Sequence, residues 1–347
     1  SQRNWDYRYC WIRDAFFVVR ALNSLGAVGT MEHYLRWISN VAADFAESGP
    51  DGHLQPVYGV GLEKDLIEEI IEDLPGYRGM GPVRRGNAAY FQVQNDAYGQ
   101  IVLPTAQGFF DKRLLRMADE RDFESLEQVG EMAWKNHDQP DAGLWEFRTR
   151  QEVHTYQAVM SWAACDRLAN VAAHLGKAGR EAVWRERAAE IRRKIEENAW
   201  VANGEGGHYG ASFESDYLDA SLLQMVELRF LKPEDARFQS TFAAVEKALR
   251  RGEHMLRYAA EDDFGTPETA FNICTFWLIE ALHLAGRDDE ARELFCTMLG
   301  HRTRSGLLSE DMDFETGELW GNFPQTYSLV GVINCAGLLS KSWNTIR

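Results

Sequence analysis

No two of the five cysteines, Cys10, Cys165, Cys274, Cys296 and Cys335, are spaced as Cys-x-x-Cys. An odd, scattered set of this kind argues against a disulfide framework, and the usual zinc spacings are absent. It points to reduced, mostly buried thiols in a cytoplasmic protein. Gly-x-Ser-x-Gly is missing and none of the nine histidines stands in a His-Glu-x-x-His pattern, so serine, cysteine and zinc-hydrolase chemistry lack support. A Gly-rich phosphate cradle is absent too, and nothing in the sequence calls for a cofactor or a metal. The longest apolar stretch, 270–285, is interrupted by Asn272, Glu280 and His283 and falls short of a bilayer span. The first residues carry no signal-peptide pattern. Positive charge is scarce as well: 37 basic against 53 acidic side chains give a formal charge of −16, which opposes nucleic acid and anionic membrane surfaces as partners and suits neutral ligands.

What is there is helix. Trp184, Ala188, Ile191 and Ile195 recur at helical spacing with Glu181–Arg185 and Glu190–Lys194 as i,i+4 pairs on the wet side. The segment before it, 155–175, is apolar on more than one face, as a helix packed on both sides must be. The same sequence of a buried helix, a glycine break and a one-faced helix recurs at 268–284, Gly286 and 288–299, and at 14–25, Gly26 and 31–45, where Tyr34, Leu35, Ile38 and Val41 share a face. Further helices are expected at 94–110, 123–137, 216–228, 233–250 and 323–339, making eleven.

The unit spacing is irregular, which disfavours an open repeat solenoid. A closed double ring is the alternative: an all-α, (α/α)6 toroid of six hairpins spanning residues 1–347 as one domain. Six hairpins need twelve helices, so the first helix is expected upstream of Ser1, ahead of an aromatic and charged stretch, 4–14, that reads as mid-chain sequence. The long connection 49–89, with Gly49-Pro50-Asp51-Gly52 and Pro75-Gly76-Tyr77-Arg78-Gly79 turns, is the kind of loop that builds a site.

The chemistry-bearing stretch is Gly143-Leu144-Trp145-Glu146-Phe147-Arg148, which sets a carboxylic acid between two aromatic rings. Desolvation there would hold the proton on Glu146, as a group that protonates a leaving oxygen requires. Taken singly, the motif reads as a core tryptophan beside a solvated glutamate. Its weight comes from Tyr7-x-x-x-Trp11-x-Arg13-Asp14, Gln94-Asn95-Asp96, Arg257-Tyr258, and Leu308-Ser309-Glu310 followed by Gly321-Asn322-Phe323-Pro324-Gln325. Together and in this order, over residues 4–340, these blocks resemble glycoside hydrolase family 15, the glucoamylase family, which also includes bacterial trehalases and glucodextranases.

The resemblance implies an inverting, exo-acting α-glucoside hydrolase releasing β-glucose. Glu146 would be the general acid and Glu310 the general base, acting across about 6.5–9.5 Å, the gap that admits a water. Arg13 and Asp14 would clamp the terminal glucose, Arg257 would bind its hydroxyls, and Asp96 belongs to the same set. Tyr7, Trp11, Tyr90 and Trp145 would form aromatic walls. Tyr90 stands where fungal members have tryptophan, a departure that bears on the second sugar site.

Blander readings exist. Asp14 would complement a helix dipole, and Glu310, Asp311, Asp313, Glu315 and Glu318 would be a solvated acidic loop, with Asp311 the rival base. A calcium loop at 311–317 has its glycine one place late. The substrate expected is an α-glucan or maltooligosaccharide, with trehalose the alternative and a catalytically silent carbohydrate-binding barrel or a phosphorolytic enzyme the rivals. Bacterial members usually carry a β-sandwich domain ahead of the barrel, so one is expected upstream.

Overall fold

A computed structural model describes residues 3–47, 54–204 and 206–340. Eleven α-helices lie among them: α1 (Ile12–Ser24), α2 (Val28–Glu47), α3 (Asp96–Ala106), α4 (Glu120–Asn136), α5 (Thr155–His174), α6 (Ala178–Asn198), α7 (Gln224–Glu227), α8 (Ala236–Leu249), α9 (Asn272–Leu284), α10 (Asp288–Gly300) and α11 (Thr326–Leu339). Every strand is a two-residue ladder. Contacts group the chain into two compact units, one of residues 1–200, 211–215 and 228–230, the other of 201–210, 216–227 and 231–347.

In the first unit α5 is the hub, packed by α3, α4 and α6, while α1 lies on α2 and α3. Helix α3 buries nine of its eleven residues and α5 fifteen of its twenty. Amphipathic α6 turns in only Trp184, Ala188, Ile191 and Ile195, the four its spacing predicts. Arg185 does pair with Glu181, but the expected Glu190–Lys194 pair is replaced: Glu190 accepts from the Trp134 indole and Lys194 binds Asp138. Partners on and just after the neighbouring helix α4 satisfy these groups better than an exposed i,i+4 contact worth about 0.3–0.5 kcal/mol.

In the second unit α9 is the hub, buried without a break from Asn272 to Leu282 and packed by α10, α11 and the turn at Ala220–Leu223. The helix expected from residue 268 starts only at Asn272, because Ala270–Phe271 pair antiparallel with Asp311–Met312, which also pair with Leu319–Trp320. The helix expected over 216–228 is mostly not there. Asp219 bridges Tyr258 and caps a 3-10 turn, Ala220–Leu223, leaving one α-turn, α7. An aspartate that binds the backbone two residues on competes with the helix it would start.

The three glycine breaks have one geometry. Gly26, Gly176 and Gly286 take φ of 78°, 71° and 80°. Each donates to the carbonyl three residues back, and the residue after it to the carbonyl five back. This is the Schellman end, which a left-handed glycine allows without Cβ strain. Of the five thiols, Cys165, Cys274 and Cys335 are buried, Cys10 is half-buried and Cys296 is exposed, all unbridged. No helix among the described residues is long and apolar enough to cross a membrane. The Gly49-Pro50-Asp51-Gly52 turn lies outside the described residues.

Candidate active site

Glu146 sits where three segments of the first unit meet. Its Oε1 accepts from the Trp11 indole at 2.7 Å, from Arg13 Nη2 at 3.2 Å and from Gln94 Nε2 at 3.3 Å. Trp11 is the extended residue that caps α1, after Cys10–Trp11 pair with Val57–Tyr58. Arg13 and Asp14 then fall in the first turn of α1, and Asp96 in the first turn of α3, where helical side chains lean back toward the N-terminus. The carboxylate reaches beyond its two neighbours in sequence. Phe147 is buried and stacks on His154, with the Arg150 guanidinium 3.8 Å from its ring centre. Glu146 instead takes a left-handed φ of 60°, which swings its carboxylate to the indole and the guanidinium. Trp145 is half-buried on the same turn.

Two carboxylates crowd this cluster. Asp14 lies 3.5 Å from Arg13 and keeps 30% of its side-chain exposure. Burial nevertheless pushes its carboxyl up to about 6, with Glu146 and Asp96 adding repulsion and Arg13 opposing. Asp96 is 1% exposed; burial raises its carboxyl too, although Arg13 and a 2.6 Å bond from Gln100 favour its charge. Tyr7 meets Trp11 edge-on at 5.2 Å, and Tyr7 and Tyr90 pack on the cluster of Trp11, Val57, Leu66 and Ala89. Trp11 therefore both packs and donates.

Sequence reasoning missed the residues that hold this cluster. Asp141, fully buried, accepts from the backbone N–H of Asn95 and of Gly143 at 2.5 and 2.8 Å, tying the Gln94–Asp96 segment to the Glu146 loop. Burial, then Asp96, raises its carboxyl well above the usual range. Gln92 donates to the Glu146 carbonyl at 3.2 Å. Arg148 pairs with Glu68, on the long connection, at 2.9 Å. Of these only Arg148 stands in a motif quoted from the sequence, and there without a role; aspartates are common in loops.

The second unit seats Glu310, 5% exposed, beside Asp311, 6% exposed. The acidic run therefore splits: its first two members are buried and Glu315 and Glu318 are exposed. The Glu310 backbone is bracketed by its N–H to the Asn322 carbonyl, by the Asn272 N–H to its carbonyl, and by Asn272 Nδ2 and Ser328 Oγ both donating to the Ser309 carbonyl at 2.8 Å. Asn322 N–H reaches its Oε2 at 3.4 Å. Gly321, at φ 77°, leaves room for it: a Cβ there would lie 3.1 Å from Oε2. Arg257 lies over the Tyr258 and Phe271 rings at 5.5 and 5.6 Å. Burial works against its charge, yet Tyr258, Asp311, Glu310 and Asp262 hold its pKa above the ordinary guanidinium value. In the candidate calcium loop, Asp313 spends its carboxylate on the N–H groups of Glu315 and Thr316.

The family model of glycosyl hydrolases family 15 matches residues 1–337. The chain belongs to that family. Among curated relatives, a trehalase of Thermoplasma volcanium is 35% identical over 99% of this chain and 53% of its own length. A trehalase of Mycobacterium tuberculosis is 34% identical over 96% of this chain and 48% of its own. The family-15 chain thus spans about half the length of the curated relatives it matches. Among solved structures, a wild-type glycosidase aligns with TM-score 0.72 at 19% identity, over 96% of this chain and 88% of its own. A bacterial glucoamylase complexed with acarbose aligns with TM-score 0.70 at 14% identity, over 96% and 49%. The fold is that of these enzymes, the all-α (α/α)6 toroid class.

Proposed function

We propose that this family-15 chain is the catalytic part of an inverting α-glucoside hydrolase, with Glu146 as general acid and Glu310 as general base. The observation that carries the reading is the triple hydrogen bonding of Glu146 Oε1 by Trp11, Arg13 and Gln94. An oxygen already accepting from three donors has no lone pair left for a proton, so a proton passed to a glycosidic oxygen would be carried by Oε2. Glu310, fixed by its bracket, would take the proton of the attacking water. Arg13, Asp14, Asp96 and Arg257 would bind the hydroxyls of the glucose, and Tyr7, Trp11, Tyr90 and Trp145 would face its C–H surfaces.

Four curated relatives that are trehalases, at 33–35% identity, favour trehalose over α-glucans as the substrate. Proton NMR of the first products tests the mechanism. Attack with inversion on trehalose gives β-glucose from the attacked ring and α-glucose from the leaving one, in equal amounts. Initial α-glucose alone would refute inversion. A panel of trehalose, maltose, isomaltose and starch decides the substrate. Glu146→Gln and Glu310→Gln should each cost about 10²–10⁴-fold in kcat, the usual contribution of acid–base catalysis; wild-type rates in either would remove that residue from the mechanism.

A further inference from the structure

We infer that Gln92 is a positioning residue for the acid, acting through Gln94 and the Glu146 backbone; this rests on the assignment of Glu146 as general acid. Gln92 Oε1 accepts from Gln94 Nε2 at 3.0 Å, while Gln92 Nε2 donates to the Glu146 carbonyl at 3.2 Å. Gln94 passes the link on: its Oε1 accepts from Arg13 Nη1 at 3.1 Å and its Nε2 also reaches Glu146 Oε1 at 3.3 Å. The relay runs from a guanidinium, which can only donate, to a carbonyl, which can only accept. Between such ends two amides fit in one orientation only, Gln94 with its oxygen toward Arg13 and Gln92 with its nitrogen toward Glu146. Turning either amide over sets donor against donor or acceptor against acceptor.

The relay matters because of the backbone it grips. A left-handed conformation is strained for a residue other than glycine, and Glu146 holds it at φ 60°. The turn itself is closed by Glu146 N–H to the Gly143 carbonyl and Phe147 N–H to the Ala142 carbonyl. Gln92 anchors the remaining polar group of that residue, its carbonyl. Relaxation of φ would carry the carboxylate off the Trp11 and Arg13 donors, so Gln92 fixes main chain and side chain of the acid together. Gln92 needs no contact with substrate to do this.

The test separates proton delivery from everything else. Hydrolysis of an O-linked glucoside such as trehalose needs a proton on the leaving oxygen, whereas α-glucosyl fluoride loses fluoride with little protonic help yet needs the same base and sugar clamp. Gln92→Met, close in shape, unable to donate and at most a weak acceptor, should lower kcat on trehalose by roughly 10- to 100-fold, the range for a slightly misplaced catalytic group. Its KM should change little, and its kcat on the fluoride should stay within about twofold. Gln92→Glu, isosteric and still able to accept from Gln94 but not to donate to Glu146, should give the same split. The retained fluoride activity is itself the control for folding. Equal losses on both substrates in both variants, or no loss on either, would overturn the assignment. A wild type that hydrolyses neither substrate overturns the functional reading and this assignment with it.

Discussion

Replacing Asp14 by asparagine removes one charge from a cluster in which Asp14, Asp96 and Glu146 surround the single guanidinium of Arg13. Burial, reinforced by Glu146 and Asp96, lifts the Asp14 carboxyl from 3.8 to about 6. At ~1.4 kcal/mol per pH unit, holding it ionised in the folded protein costs at most about 3 kcal/mol. The side chain keeps 30% of its exposure, and solvent screening brings the expected figure to about 1–2 kcal/mol. The sign follows from linkage: a carboxyl raised by folding is bound more tightly to its proton in the native state. Its favourable contribution is therefore present below 3.8 and lost as pH rises through about 6. Asparagine imitates the neutral acid, so Asp14→Asn should melt at higher temperature than wild type at pH 7.5, with the gain shrinking toward pH 4.5. Turnover should fall, by roughly 10- to 100-fold in kcat/KM if the carboxylate accepts from a sugar hydroxyl, since charged hydrogen bonds are worth about 1.5–3 kcal/mol. Paired melting and kinetic measurements at the two pH values check it. A variant less stable than wild type at pH 7.5, or a gain identical at both pH values, would refute the electrostatic argument.

Gly99→Ala would ordinarily stabilise a helix by up to about 1 kcal/mol, but a Cβ there would lie 2.4 Å from Met160 Cγ and 2.6 Å from the Met160 carbonyl, so overpacking of α3 on α5 should win by about 1–3 kcal/mol in denaturant unfolding. His154 is 2% exposed, and burial pushes its pKa down to about 4 from 6.5; the stability of its neutral form is present above 6.5 and lost as pH falls toward 4, by about 3 kcal/mol, so the melting temperature of His154→Gln should vary less over that window than that of wild type. Gly321→Ala forces a Cβ within 3.1 Å of Glu310 Oε2 at φ 77°, and kcat should drop at least about tenfold with an unchanged circular dichroism spectrum.

The parts legible in sequence were those enforced by burial and repetition. Of the eleven helices expected, ten are present among the described residues as helices of three turns or more and one, α7, as a single turn; the six in the three glycine-ended hairpins each carry a periodic apolar pattern. Errors fell where polar side chains or ladder bonds, which leave no period, take the backbone. The Asp219 turn displaces the helix expected over 216–228, and the Ala270–Phe271 ladder delays α9. At the site, the motif residues Trp11, Arg13, Asp14, Asp96 and Glu146 do gather in one unit, and Arg257, Glu310 and Asp311 in the other. The indole and guanidinium that bind Glu146 come from Trp11 and Arg13, more than 130 residues away, a pairing that adjacency in sequence does not show.

A common logic links the two carboxylates. Glu146 lies on irregular backbone and Glu310 immediately ahead of the Asp311–Met312 ladder, and each is held in part by side chains that bind the neighbouring main chain. Gln92 takes the Glu146 carbonyl and Asp141 the Gly143 N–H; Asn272 and Ser328 take the Ser309 carbonyl ahead of Glu310. A backbone carbonyl or N–H looks the same at every residue, so the side chain that grips it answers to no partner type and forms no motif. Residues that touch substrate must match its chemistry and can be found by pattern. Those that aim them are found only from coordinates, and a misalignment of about 1 Å at such a support is enough to cost a hundredfold in rate.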